Sequence, residues 1–216
     1  MMTLPSLKPT TLIPNQKFNH LASDEEVDRT ARSLEVNGFH TVILDTGEQA
    51  RDFVWKLIPP DAEVYDPPSQ TLQQIGLVAR FESQTSFRRL RLRLLDLDRK
   101  TQSREIRRLI SSPDVVIGSV HAITQQGEVM LASASGSQLV SAAFGAGTVV
   151  WVVGTQKIVP TLDEGFRRIR EYSYPLEDER AKNIYGQPSA INKILILNGE
   201  HPGRITIVLV KQNLGF

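Results

Sequence analysis

Gly127-Glu128-Val129-Met130-Leu131-Ala132-Ser133-Ala134-Ser135-Gly136-Ser137-Gln138-Leu139 and, shortly after it, Val149-Val150-Trp151-Val152-Val153-Gly154-Thr155-Gln156-Lys157-Ile158-Val159-Pro160 decide how this 216-residue chain folds. Val129 to Leu131 and Val149 to Val153 are apolar runs too short for helices and rich in β-branched residues, so both read as buried strands. Ser137 to about Phe144 reads as the helix between them. A strand, a turn of small residues, a helix and a second strand make one α/β unit.

Working outward, the same alternation continues on both sides. Ser23-Asp24-Glu25-Glu26 is a capping box, and Val27, Ala31 and Leu34 carry a helical stripe that Gly38 ends. Thr41 to Leu44 is a buried strand by composition, followed by a stripe at Ala50, Phe53, Val54 and Leu57. Glu63 to Tyr65 reads as a short strand, Thr71 to Ile75 as a short helix, and Ser86 to Ile110 as two basic amphipathic helices. Val115 to Ile117 is another strand. Thr161-Leu162-Asp163-Glu164 opens a capping-box helix with Leu162, Phe166 and Ile169 on one face. Ile194 to Leu197 and Ile205 to Val210 flank Asn198-Gly199-Glu200-His201-Pro202-Gly203 and read as a closing antiparallel hairpin at a sheet edge. The expected fold is α/β: a mostly parallel, Rossmann-like mixed sheet, helices on both faces, and that hairpin at the C-terminal end. One domain over 20–216 follows a flexible arm over 1–19, where Pro5, Pro9 and Pro14 interrupt the chain.

Composition narrows the chemistry. Twenty-five basic and 24 acidic residues give net +1, so no whole-chain field draws it to nucleic acid or to a membrane. There is no cysteine, hence no thiolate nucleophile and no cysteinyl ligand for an iron–sulfur cluster. Neither a signal peptide nor a spanning segment is apparent, and a cytoplasmic protein is expected. His20, His40, His121 and His201 form no ligand spacing, so no metal site is expected, and their expected roles are surface or packing ones. No cofactor is expected either, because neither GxGxxG nor GK[ST] occurs where a phosphate loop would need it.

The candidate ligand-binding residues are Ser133, Ser135, Gly136, Ser137, Gly154, Gln156 and Lys157. Small side chains between a strand and a helix let an anion approach backbone N–H groups, although a plain strand-to-helix turn uses the same residues. Lys157 follows the second strand, where ligands gather in open α/β sheets, and could meet a phosphate or carboxylate; an exposed lysine on a loop is the competing reading. Both segments follow consecutive strands, which parallel pairing would bring to one side of the sheet. Glu128 and Glu179 are the candidate acid or base residues, and Glu179 belongs equally well to a solvated helix with Glu177, Asp178, Arg180 and Lys182. Between Arg88 and Arg108 nine basic residues face three acids, without an interleaved aromatic, which fits a solvated basic helix face better than a nucleic-acid site.

These two segments, with Pro175-Leu176-Glu177-Asp178-Glu179-Arg180-Ala181 after them, resemble the LUD domain, the family of the lactate-utilisation C subunit. That resemblance implies a fold like those of ribose-phosphate isomerases, CoA transferases and formyltetrahydrofolate cyclo-ligase. It also implies a small anionic, phosphorylated or CoA-like metabolite as ligand, in lactate-type organic-acid metabolism. The alternative it implies is a noncatalytic subunit that docks an iron–sulfur or flavin oxidoreductase partner. The family's lactate-utilisation branch often carries an acid just before the strand glycine, where this chain has Gln125-Gln126 ahead of Gly127.

Overall fold

The structure is a computed structural model and describes residues 12–83 and 86–216. Its main sheet has six strands, β1 (His40–Leu44), β2 (Glu63–Tyr65), β3 (Arg88–Arg89), β4 (Val115–Gly118), β7 (Thr148–Gly154) and β10 (Ile205–Val210), in the order β1-β10-β7-β4-β2-β3. Every pairing in it is parallel. A second sheet orders β8 (Ile158–Val159), β5 (Ala122–Thr124), β6 (Val129–Ser133) and β9 (Lys193–Leu197), with β6 antiparallel to both β5 and β9.

The period-two pattern of the central strands sorts side chains into two cores. Val116, Val149, Trp151, Val153, Ile207 and Leu209 face one, with Val27 and Leu34 of α1 (Asp24–Val36) and Ile110 of α6 (Ser103–Ser111). Val115, Ile117, Val150, Val152, Val208 and Val210 face the other, with Ala50 and Val54 of α2 (Gly47–Lys56), Leu72 of α3 (Gln70–Gln74) and Phe81 of α4 (Leu77–Glu82). Each such side chain contributes about 1.5–3 kcal/mol by burial, which is why the continuous apolar runs dominate the fold. The second sheet repeats the device. Ile123, Val129 and Leu131 join the first core, while Ala122, Met130 and Ala132 pack against Ile169 and Tyr172 in a third.

Several expectations change. Residues 194–197 and 205–210 do not form a hairpin: β9 joins the second sheet against β6, and β10 inserts between β1 and β7 as an interior strand. Five of the six β10 residues are buried, as a strand covered on both faces requires. β1 is the edge strand and is only half-buried. The arm splits: residues 1–11 lie outside the described residues, whereas Asn15 caps a 3-10 turn over Gln16–Asn19 and Phe18 enters the third core. Ser23 and Glu26 form the full capping box, but Thr161 supplies only half of one, because the Glu164 carboxylate turns to Lys17 and Arg167.

Candidate functional site

The connection from β2 leads outward to β3, while that from β4 leads the other way to β7. The crevice at the carboxyl ends of β2 and β4 is therefore the topological switch point of the sheet, where open α/β folds place ligands. Three segments leave the sheet there. Thr71 lies in α3 after β2, Ser119 follows β4, and Lys157 ends the 3-10 turn Thr155–Lys157 after β7.

They meet at one amine. Lys157 is 1% exposed, and its Nζ donates to Thr71 Oγ1 at 3.1 Å and to Ser119 Oγ at 3.0 Å. The segment after β10 closes over this cluster: the Leu214 carbonyl accepts from the Thr71 hydroxyl at 3.2 Å and from Gln156 Nε2 at 2.9 Å. Gly215 is needed for that close pass. It has φ +63°, and a Cβ there would lie 2.3 Å from Thr71 Oγ1.

Arg168, at the end of α8 (Leu162–Arg168), is fully buried beside this cluster. Its Nε donates to the Gln156 carbonyl at 3.3 Å, and its Nη1 to Ser173 Oγ at 3.0 Å and to the His121 carbonyl. Its Nη2 and Gln156 Oε1 are the two buried side-chain polar atoms without a hydrogen-bond partner among the described residues. His121 is half-buried, and its Nδ1 accepts from the Ala132 N–H at 3.1 Å, which leaves the ring proton of the neutral form on Nε2.

The electrostatics are one-sided. Neither Lys157 nor Arg168 has a carboxylate within 4.0 Å among the described residues. Burial, and then the Arg168 charge, hold the Lys157 amine well below its usual range. Burial brings Arg168 down to about 9, and burial with the charges of Lys157 and Arg168 brings His121 to about 3. An unpaired buried cation costs several kcal/mol, so two of them side by side form an environment that favours an anion.

The sequence-predicted residues divide between two places. Gly154, Gln156 and Lys157 are all buried in the cluster, Lys157 as a core residue rather than an exposed one. Ser133, Ser135, Gly136 and Ser137 form a separate turn, in which Ser133 Oγ accepts from the Gly136 N–H at 2.8 Å and Ser135 Oγ from the Ser137 N–H at 3.2 Å. No hydrogen bond joins the two groups among the described residues; the expectation of adjacent parallel strands fails because β6 and β7 belong to different sheets. What links the turn to the cluster is His121, whose ring holds the backbone of Ala132, one residue before Ser133.

Glu128 does not join either group. It bonds Thr124 at the far end of the β5–β6 hairpin, three or four residues or roughly 10–13 Å of strand away from His121 and Ala132. Glu179 is exposed on α9 (Tyr174–Tyr185), whose Asp178 accepts from the Ser189 N–H and pairs with Lys182. Thr71, Ser119, His121 and Arg168 escaped the sequence reading. Arg168 had a signal: Gly165, Arg168, Ile169 and Tyr172 are all buried at i, i+3, i+4, i+7, so the buried face is rotated from the expected Leu162, Phe166, Ile169 face and contains an arginine.

The family model of the LUD domain matches residues 27–210. This chain belongs to the LUD domain family. The family is associated with lactate utilisation. Among solved structures, this LUD domain resembles a DUF162 family protein from Deinococcus radiodurans, at 15% identity over 88% of this chain and 99% of that one, with a TM-score of 0.54. That likeness shows the fold. eIF2B beta from Chaetomium thermophilum matches 63% of this chain and 45% of its own at 15% identity, but its TM-score of 0.29 carries no argument. A search of curated proteins finds no match. Among the described residues no helix is long and apolar enough to cross a membrane.

Proposed function

We propose that this LUD domain binds a small anionic metabolite of organic-acid metabolism in the crevice formed by Lys157, Arg168, Gln156 and His121. The observation that carries this reading is the fully buried Arg168, which has no carboxylate partner among the described residues and presents a guanidinium nitrogen with no hydrogen bond, next to the buried Lys157 amine. A carboxylate or phosphate there would accept from Arg168 Nη2 and from the His121 Nε2–H, and would offset the desolvation of the guanidinium. The Ser133–Ser137 turn, joined through His121, would hold a further polar part of a larger ligand.

Thermal denaturation in the presence of lactate, pyruvate, inorganic phosphate or coenzyme A tests this. A ligand at one hundred times its Kd stabilises by about 2.7 kcal/mol, which is readily seen as a shift in Tm. At least one of these anions should give a saturable shift that Arg168→Gln abolishes, whereas no shift with any of them would remove the reading. A second reading, docking of an iron–sulfur or flavin oxidoreductase subunit, is favoured by one observation. Arg104, Arg107 and Arg108 are exposed on α6, which packs against α5 (Leu90–Leu95), where Leu95 is 75% exposed.

A further inference from the structure

We propose that Lys157 is an imine-forming lysine, whose amine attacks the carbonyl carbon of a small 2-oxo acid while Arg168 holds that acid's carboxylate. This rests on the anion-binding reading of the same crevice and adds a reaction to it.

The hydrogen-bond count favours an amine over an ammonium. A neutral lysine has two N–H donors and one lone pair, and Nζ has two acceptors, Thr71 Oγ1 and Ser119 Oγ, among the described residues. Both N–H groups are satisfied and the lone pair is left over. An ammonium would bring a third donor and a full charge into a site with no carboxylate within reach. Enclosure next to a second cation is the arrangement that turns lysine into a nucleophile at neutral pH. Burial and the Arg168 charge act on this amine in that direction.

The place suits a reacting group. Lys157 stands at the carboxyl end of β7 beside the switch point, and Gly215 covers it from one side. Ser119, bonded to Nζ, and nearby His121 are only half-buried, whereas Lys157 and Arg168 are fully buried. A 2-oxo acid matches the two functions present: an anionic carboxylate for Arg168 Nη2 and an adjacent electrophilic carbonyl for Nζ.

The step balances without an oxidant or reductant. The nitrogen lone pair forms the N–C bond as the C=O π pair moves to oxygen, and an amine proton passes to that oxygen through the Ser119 or Thr71 hydroxyl. The resulting carbinolamine loses its hydroxyl with the second amine proton as water. Amine and ketone become imine and water.

Borohydride trapping on the full chain tests this, because reduction converts the imine into a stable secondary amine. Glyoxylate, pyruvate and 2-oxoglutarate serve as probes, and lactate, which has a carboxylate but no carbonyl, as the control. The expected result is a single reduced adduct mapped to Lys157 with at least one 2-oxo acid, and none with lactate. Lys157→Arg, which cannot form an imine, should lose the adduct while its far-UV circular dichroism stays that of the wild type. A thermal shift of the wild type with lactate, pyruvate, phosphate or coenzyme A but without any adduct, or an adduct that persists in Lys157→Arg, would overturn the imine and leave the anion site standing. Absence of the adduct and of a shift with all four anions would overturn the two together.

Discussion

The cations at the carboxyl ends of the main sheet and those on α5 and α6 are the same kinds of side chain under opposite conditions. Lys157 and Arg168 are buried and have no carboxylate partner among the described residues. Along 88–108 the charges that are buried are paired, and those that lack an ion pair are exposed. Arg89 meets buried Asp66 through two hydrogen bonds of 2.9 and 2.6 Å, and Arg93 pairs with Glu105 at 3.1 Å. Arg99, Lys100, Arg104, Arg107 and Arg108 stand in solvent. A solvated charge costs the fold almost nothing and so says little about function; a buried unpaired one costs several kcal/mol and calls for a compensating role. The conspicuous feature of the sequence, its arginine-rich middle, is thereby the less informative of the two.

The largest effect should come from breaking the one buried pair that the basic stretch contains. Asp66 is 1% exposed and its partner Arg89 5%, so Asp66→Ala strands a buried guanidinium. Loss of about 3–5 kcal/mol is expected, read as a lowered denaturant midpoint at unchanged m-value. Loss of less than about 1 kcal/mol would mean that Arg89 escapes to solvent and that the contrast between the two regions is one of packing, not of charge.

How much of this contrast could be read in the sequence follows from the range of the interactions. β4, β7 and β10 were legible because each is a continuous apolar run covered on both faces, whereas β3, Arg88–Arg89, was read into a basic helix because two arginines carry no strand pattern. Ala122–Thr124 and Ile158–Val159 were not, being three and two residues long and held only by pairing with distant partners. The same ambiguity misassigned residues 194–197, whose alternation fits a hairpin with 205–210 as well as the actual pairing with β6. Lys157 was legible as a strand-end residue, but its burial was not, since the chain that covers it arrives from residues 214–215. Arg168 beside Arg167 looks like one more surface charge until the helix phase is set by Gly165 and Tyr172.

A change of opposite sign should follow at the unpaired cation. Lys157→Met keeps the volume and removes the buried amine, and Thr71 and Ser119 can still bond each other across 3.3 Å. The ligand-free variant should gain about 1–2 kcal/mol, since the wild type must hold a lysine deprotonated in a buried site without a carboxylate and methionine need not, and should lose 2-oxo acid trapping. The pH dependence gives a second measure. Lys157 and Arg168 have folded-state pKa values below their unfolded ones, so the unfolded chain binds more protons and stability rises with pH, for Arg168 from about 9 toward its ordinary value. His121 acts in the same sense at acid pH, its contribution being present above its ordinary value and lost as pH falls toward about 3. Lys157→Met should flatten the alkaline rise and, by removing a charge that depresses His121, move the acid limb toward the ordinary histidine range; an identical alkaline slope in the two proteins would show that Lys157 does not titrate differently on folding.

The smallest effect belongs to the surface. Arg104, Arg107 and Arg108 are exposed, so replacing all three by Gln should change stability by no more than about 0.5 kcal/mol per site and leave both the lactate shift and the adduct untouched. The same triple variant measures what the basic face is for. If that face held nucleic acid, binding would weaken steeply between low and physiological salt, because counterions released from the phosphates dominate such association, and removing three contacts would shallow the slope. No binding at physiological salt is expected from the wild type, as exposed Leu95, the interspersed acids Asp96, Asp98 and Glu105, and the lack of an aromatic to stack on a base all fit a polyphosphate poorly. Fluorescence anisotropy with a single-stranded and a duplex oligonucleotide checks this; tight binding that the triple variant loses would make the solvated cations functional and would end the distinction between the two regions.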